Sequence, residues 1–209
     1  MSFRIADHAL LAHRMAELRA AATPSPVFRR LLGEIGALLA MEATRDLPRA
    51  TRRVETPLTG MDHTVLAAPE PCLVAVLRAG LGLLEGAMRV LPEAPVGHVG
   101  LVRDEHTLQP AQYMLRLPAE LPSRGALMFD PMLATGGSAA AAIARVKEAG
   151  APFLRFVCVV AAPEGVARLR AAHPDVVIIA AALDERLDER GFIVPGLGDA
   201  GDRCFGTEG

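Results

Sequence analysis

Leu73-Val74-Ala75-Val76-Leu77 is apolar at every position, without the alternation of a strand that faces water on one side. Such a run belongs to a strand buried on both faces. Ala126 to Phe129 repeats the pattern, and Phe153 to Val160 and Val176 to Ala182 supply further strands. Between them lie helical segments at Leu81 to Leu91, Gly137 to Ala149 and Pro163 to Ala172. Strands alternating with helices at this spacing predict an α/β fold: a mostly parallel sheet with helices on both faces. Val96 to Val102 and Gln112 to Leu117 add two strands around the polar loop Asp104-Glu105-His106-Thr107, and residues 51–69 hold two short strand candidates.

Ahead of the sheet, residues 7–46 have helical character. Phe28, Leu31, Leu32, Ile35, Leu38 and Leu39 make an apolar stripe, with Ser25 as candidate cap and Pro26 at the first helical position. Behind the sheet, the tail from Asp184 onward is polar and turn-rich. The 209 residues fit one domain, and 51% apolar content is ample for its core. A net charge of -2 argues against nucleic acid as the main partner. Cys72, Cys158 and Cys204 are odd in number and form no CxxC pair, which argues against a disulfide framework or a zinc site. Cys158, inside an apolar run, belongs to the core. No apolar run reaches ~18 residues, and the N-terminus lacks the apolar stretch of a signal peptide, so a cytoplasmic protein without a membrane partner is expected.

Three segments carry chemistry. In Phe129-Asp130-Pro131-Met132-Leu133-Ala134-Thr135-Gly136-Gly137-Ser138 a buried strand ends in an acid and a glycine turn opens a helix. Ligands of parallel sheets bind beyond the carboxyl ends of the strands, and free N–H groups at a helix start suit a phosphate. Thr135 and Ser138 can add hydroxyl donors, and the acid suits ribose hydroxyls. No Gly-Lys-Ser/Thr occurs, so this is not a Walker loop, and GxGxxG does not follow the strand. Taken alone, a plain strand-to-helix turn remains open. In Leu77-Arg78-Ala79-Gly80-Leu81-Gly82 an arginine at a strand end can fork onto a diphosphate; a surface ion pair is the alternative. Arg103, at the end of the next strand, offers a second cation or a solvated charge. Finally, Gly191 to Asp202 holds four glycines and a proline in twelve residues, which predicts no regular element. Its exposed backbone groups could read the edge of a flat base, or the segment could be a loose tail.

Together these segments resemble the uracil phosphoribosyltransferase family. Asp130 to Ser138 is similar to its phosphoribosyl pyrophosphate loop, with the proline after the first acid that is particular to the uracil branch. Leu77 to Leu81 is similar to its pyrophosphate loop, and Pro195 to Asp202 to its uracil-binding hood. Glu42-Ala43-Thr44-Arg45-Asp46 and Phe205-Gly206-Thr207 match further family segments. The resemblance implies a phosphoribosyltransferase-like domain over 1–209, with a hood formed mainly by residues 184–209 and helped by the N-terminal segment.

The resemblance also implies roles. Asp130, Arg78 and Asp199 would be catalytic. Phosphoribosyl pyrophosphate would be bound by Arg78, Arg103, Asp130, Pro131, Met132, Leu133, Ala134, Thr135, Gly136, Gly137, Ser138 and Asp199. Uracil would meet Ile193, Gly198, Asp199 and Ala200, largely through backbone atoms. Mg²⁺ would be held mainly by the diphosphate rather than by protein ligands. GTP as effector, as in some members, and at least a homodimer are implied on the same basis. Five positions depart from the family pattern: Phe192 and Met41 replace tyrosines, Ala75 replaces a proline, and Val102 and His106 flank Arg103 where a tyrosine and an acid are expected.

The implied reaction breaks the anomeric C–O bond while uracil N1 attacks from the opposite face, with no covalent enzyme intermediate. A pyrimidine-responsive RNA-binding regulator on the same fold would show a basic face and two adjacent acids in the phosphate loop. A catalytically dead sensor would have lost Asp130, Arg78 or Asp199. A transferase for another base is the third alternative.

Overall fold

The computed structural model describes residues 3–103 and 110–207. In chain order the elements are β1 (Phe3–Ile5), α1 (Ala9–Arg19), α2 (Ser25–Thr44), β2 (Arg49–Glu55), β3 (Gly60–Leu66), β4 (Cys72–Leu77), α3 (Gly80–Val90), β5 (Val96–Arg103) and β6 (Pro110–Arg116). There follow α4 (Leu121–Arg124), β7 (Ala126–Phe129), β8 (Met132–Leu133), α5 (Gly137–Glu148), β9 (Leu154–Ala161), α6 (Pro163–Ala172) and β10 (Val177–Leu183), then β11 (Arg186–Leu187), β12 (Ile193–Val194) and α7 (Ala200–Phe205). The expected α/β architecture is present. Among these residues one sheet runs β1-β10-β9-β7-β4-β5-β6, with β8 beside β9. Every pairing in it is parallel except β5 with β6.

Successive residues of a strand point to opposite faces, and both faces of this sheet are covered. Leu73 and Ala75 of β4 join Phe129, Val157 and Ile179 beneath α1, α2 and α3. Val74 and Val76 of the same strand join Met128, Phe156 and Cys158 beneath α5 and α6. That is why the strands read as continuous apolar runs. Cys72, Cys158 and Cys204 are free thiols, all buried.

From β4 the chain crosses through α3 to β5 on one side. From β7 it crosses through α5 to β9 on the other. The gap between β4 and β7 is therefore the topological switch point, where a crevice opens beyond the strand ends.

Several expectations need correction. The N-terminal helical region is two helices, because the chain turns at residues 20–24, where Thr23 Oγ1 donates to the Glu17 carbonyl (2.6 Å). Ser25 is inside α2 rather than capping it: the cap position is Pro24, with no side-chain bond. The strand β1 was not anticipated; three residues at a sheet edge carry too little pattern. The glycine-rich tail contains β12 and the start of α7, because glycines at 196 and 198 take positive φ between them and leave ordinary backbone on either side. The Asp104 to Thr107 loop, with His106, lies outside the described residues. Among the described residues no helix is long and apolar enough to cross a membrane.

Candidate active site

Beyond the ends of β4 and β7 lies a cavity of about 330 Å³. Its lining includes Arg78 from β4's end, Asp130 from β7's end, Ser138 from α5, and Gly198, Asp199 and Ala200 from the C-terminal segment. Three stretches of sequence far apart in the chain thus meet at the switch point.

Asp130 follows the fully buried β7 and is itself only partly exposed. One carboxylate oxygen accepts from the Met132 N–H at 3.2 Å. Burial pushes the carboxyl up to about 7, and that single hydrogen bond opposes it. Its remaining acceptor capacity is available to a hydroxyl-bearing ligand. Cys158 lies behind it, where burial and the neighbouring acid push the thiol up, so it stays protonated and unreactive.

From Asp130 the chain passes through β8 to Gly136, whose φ of +77° starts α5. A Cβ at Gly136 would sit 2.9 Å from the Gly165 carbonyl oxygen, so α6 packs close behind the turn. The first N–H groups of α5 lack intrahelical partners, and no side chain caps them. That end of the helix suits an anion.

Opposite, Arg78 is exposed and reaches Asp202 at only 3.5 Å, which leaves the guanidinium free to reorient. The Leu77–Arg78 peptide is cis. Asp199 caps α7 by accepting from the Asp202 N–H (2.9 Å). A Cβ at Gly191 would lie 3.7 Å from the Thr135 methyl, so the C-terminal segment leans over the turn that opens α5.

Of the residues singled out from sequence, Arg78, Asp130, Met132, Ser138, Gly198, Asp199 and Ala200 line the cavity. Pro131 and Leu133 are buried behind it, while Ala134, Thr135, Gly136 and Gly137 form the turn beside Ser138. Ile193 is only 4% exposed and its side chain belongs to the core, so any contact with a base would come from its backbone. Arg103 ends β5, two residues beyond cavity-lining Leu101. Phe192 does line the cavity, and its ring lies 5.3 Å from the Arg190 guanidinium carbon. Ala75 is buried beneath Gly80, and Met41 is exposed on α2, outside the cavity.

The family model for uracil phosphoribosyltransferase matches residues 5–207. The chain belongs to that family. It is 53% identical over 204 residues to the uracil phosphoribosyltransferase of Paracoccus denitrificans, covering 98% of this chain and 97% of that protein. It is 50% identical over 206 residues to that of Enterococcus faecalis, covering 99% of each. A solved protein of Aquifex aeolicus superposes with a TM-score of 0.92 at 36% identity, covering 99% of both chains. A hypoxanthine-guanine phosphoribosyltransferase of Bacillus anthracis, at 10% identity and a TM-score of 0.50, covers 76% of this chain and 80% of its own; it shares the fold.

Two features of this family member had no sequence signal. The Arg168 guanidinium of α6 lies about 3.5 Å from where a Cβ on Gly137 would be, beside the start of α5, and no hydrogen bond or ion pair engages it among the described residues. Asp184 and Arg19, 165 positions apart in sequence, pair beneath the C-terminal segment. An arginine in a helix and an acid in a polar tail look like solvated charges until the fold brings partners to them.

Proposed function

We propose that this chain transfers the phosphoribosyl group of phosphoribosyl pyrophosphate to N1 of uracil, giving UMP and diphosphate. The carrying observation is one cavity that joins a partly buried acid, an exposed arginine and an uncapped helix start to a glycine-rich backbone surface. Asp130 accepts from the ribose hydroxyls. The Ala134–Ser138 turn and the start of α5 hold the 5′-phosphate, with Arg168 beside them. Arg78 and Arg103 take the diphosphate end.

As the anomeric C–O bond breaks, negative charge grows on the departing diphosphate, and Arg78 stabilises it. Positive charge grows on the ribose, and the Asp130 carboxylate faces it. Uracil is held by backbone groups at Ile193, Gly198 and Ala200, which place N1 on the opposite side of the sugar; the N1–C1′ bond forms as the C–O bond breaks, and the N1 proton leaves to the departing diphosphate. No side chain serves as nucleophile.

Asp130 and Asp199 offer the hard oxygen donors that Mg²⁺ takes. Among the described residues no group of three or more His, Cys, Asp or Glu is arranged to hold a metal. In this reading the ion would come with the diphosphate, near Asp199, and supply charge neutralisation there.

The same reading treats 1–209 as one catalytic domain whose hood comprises about residues 184–209, working in the cytoplasm, with GTP as effector and at least two copies assembled. The arm β2–β3 is exposed along almost its whole length, and Leu58 at its tip is 95% exposed. An isolated two-stranded hairpin is marginal in water, which supports its packing on another copy.

Turnover with a panel of bases tests the activity. Uracil presents acceptor, donor, acceptor along O2–N3–O4, whereas cytosine exchanges the last two. Each mismatch against fixed backbone groups costs about 1–3 kcal/mol, and two together favour strong rejection. Uracil and 5-fluorouracil should give comparable rates and cytosine a far slower one. Equal rates with cytosine and uracil would refute the base assignment.

A further inference from the structure

Asp184 is the one buried charged side chain among the described residues, at 8% exposure. Its Oδ1 accepts from Arg19 Nη2 at 2.6 Å, and its Oδ2 from Arg19 Nη1 at 2.8 Å. The same Oδ2 accepts from the Gly196 N–H at 2.9 Å, while Arg19 Nη1 also donates to the Gly196 carbonyl at 2.6 Å. Both backbone polar groups of Gly196 are therefore held by one ion pair.

The next carbonyl is held as well. Arg203 donates to the Leu197 carbonyl at 2.7 Å and to the Ala20 carbonyl at 2.6 Å, and its guanidinium carbon lies 4.4 Å from the centre of the Phe28 ring. The exchange is reciprocal: Arg19, at the end of α1, reaches into the C-terminal segment, and that segment's Arg203 returns to the residue after Arg19. Gly196 has φ +63° and Gly198 φ +78°, and a Cβ at Gly196 would fall on the Ile193 carbonyl. Glycines permit this path but do not enforce it; the arginines do.

We propose that Arg19 and Asp184 are positioning residues for the base, acting through Gly196. Neither lines the cavity. With both backbone polar groups of Gly196 held by the ion pair and the Leu197 carbonyl held by Arg203, the path of the chain into cavity-lining Gly198, Asp199 and Ala200 is fixed. Releasing the clamp leaves the Gly196 N–H and carbonyl unheld, so the cavity-lining groups that follow lose their fixed orientation and with it their discrimination between the uracil edge and the cytosine edge. The clamp thus makes α1, remote from the chemistry, part of base selection. This role rests on the transferase reading above.

The test is steady-state kinetics on the full chain, with uracil and phosphoribosyl pyrophosphate varied in turn and cytosine compared, alongside thermal melts. Arg19→Ala should raise the uracil KM about tenfold or more. It should leave the phosphoribosyl pyrophosphate KM within about twofold and narrow the uracil-to-cytosine rate ratio. Arg19→Lys keeps the charge without the fork and should recover only part of the loss. A purely structural clamp would lower the melting temperature and the apparent kcat for every substrate alike, with the uracil KM unmoved; that result would overturn the proposal. Should Arg19→Ala not fold, Asp184→Asn carries the same expectation, because it keeps an acceptor for the Gly196 N–H while losing the charge. A wild-type protein inactive on uracil would overturn the transferase reading and this inference together. A normal wild-type rate with an unmoved uracil KM in the variants would overturn the inference alone.

Discussion

Replacing Asp130 by asparagine should make the protein more stable and nearly inactive at the same time. Burial pushes the Asp130 carboxyl up to about 7 in the folded protein, against about 3.9 for an unfolded aspartate. Between those values the folded state keeps a proton that the unfolded chain releases. Stability from this group is therefore full below about pH 4 and is lost as pH rises through about 7. About three pH units at about 1.36 kcal/mol each set a ceiling near 4 kcal/mol. Asp130 retains some contact with the cavity, and water there relieves part of the penalty, so about 2 kcal/mol is expected. An asparagine side chain cannot titrate. The Asp130→Asn variant should match wild type near pH 4 and below and exceed it near pH 8, by roughly 5 °C in melting temperature for a chain of this size. Turnover should move the other way. Losing a charged acceptor from the ribose hydroxyls removes about 2–4 kcal/mol of transition-state stabilisation, roughly a thirtyfold to thousandfold loss in kcat/KM. Melts of both proteins at the two pH values, with initial rates on the same preparations, decide it. A pH-independent stability difference would refute the burial argument, and a wild-type rate in folded Asp130→Asn would refute the assigned role.

Arg78→Ala should raise the KM for phosphoribosyl pyrophosphate far more than that for uracil, since the exposed guanidinium at the end of β4 is held only by a 3.5 Å contact to Asp202; initial rates with each substrate varied would show it. Arg168→Ala should raise the same KM by a few fold without lowering the melting temperature, because the side chain flanks the start of α5 and holds no partner there among the described residues; unchanged kinetics would remove it from the phosphate site. Gly86→Ala should cost about 3 kcal/mol or more, because the added Cβ would fall on the Gly33 carbonyl and within 2.7 Å of the Ala37 nitrogen. Urea unfolding would measure that loss, and an unchanged midpoint would show that α2 and α3 can separate freely.

Local chain chemistry was enough to announce the sheet and the strand-turn-helix of Asp130 to Ser138. Leu73 to Leu77 and Ala126 to Phe129 lack alternation because helices cover both faces, and that fact is written in every residue of the run. Asp130 to Ser138 is contiguous, so its strand-turn-helix character is a local property, and Arg78 and Asp199 stand in motifs equally compact. The arrangement around them was not local. Strand order, which places β4 beside β7 and so Arg78 across from Asp130, follows from long-range pairing that no single segment encodes. The C-terminal glycines left both a loose tail and a base-reading surface open, because glycine widens the choice of backbone without selecting from it. The backbone path is fixed by Arg19, Asp184 and Arg203, whose charges look solvated in sequence; Asp184 becomes buried, Arg19 pairs with it and Arg203 donates to two carbonyls only when α1 packs against the segment that follows β12.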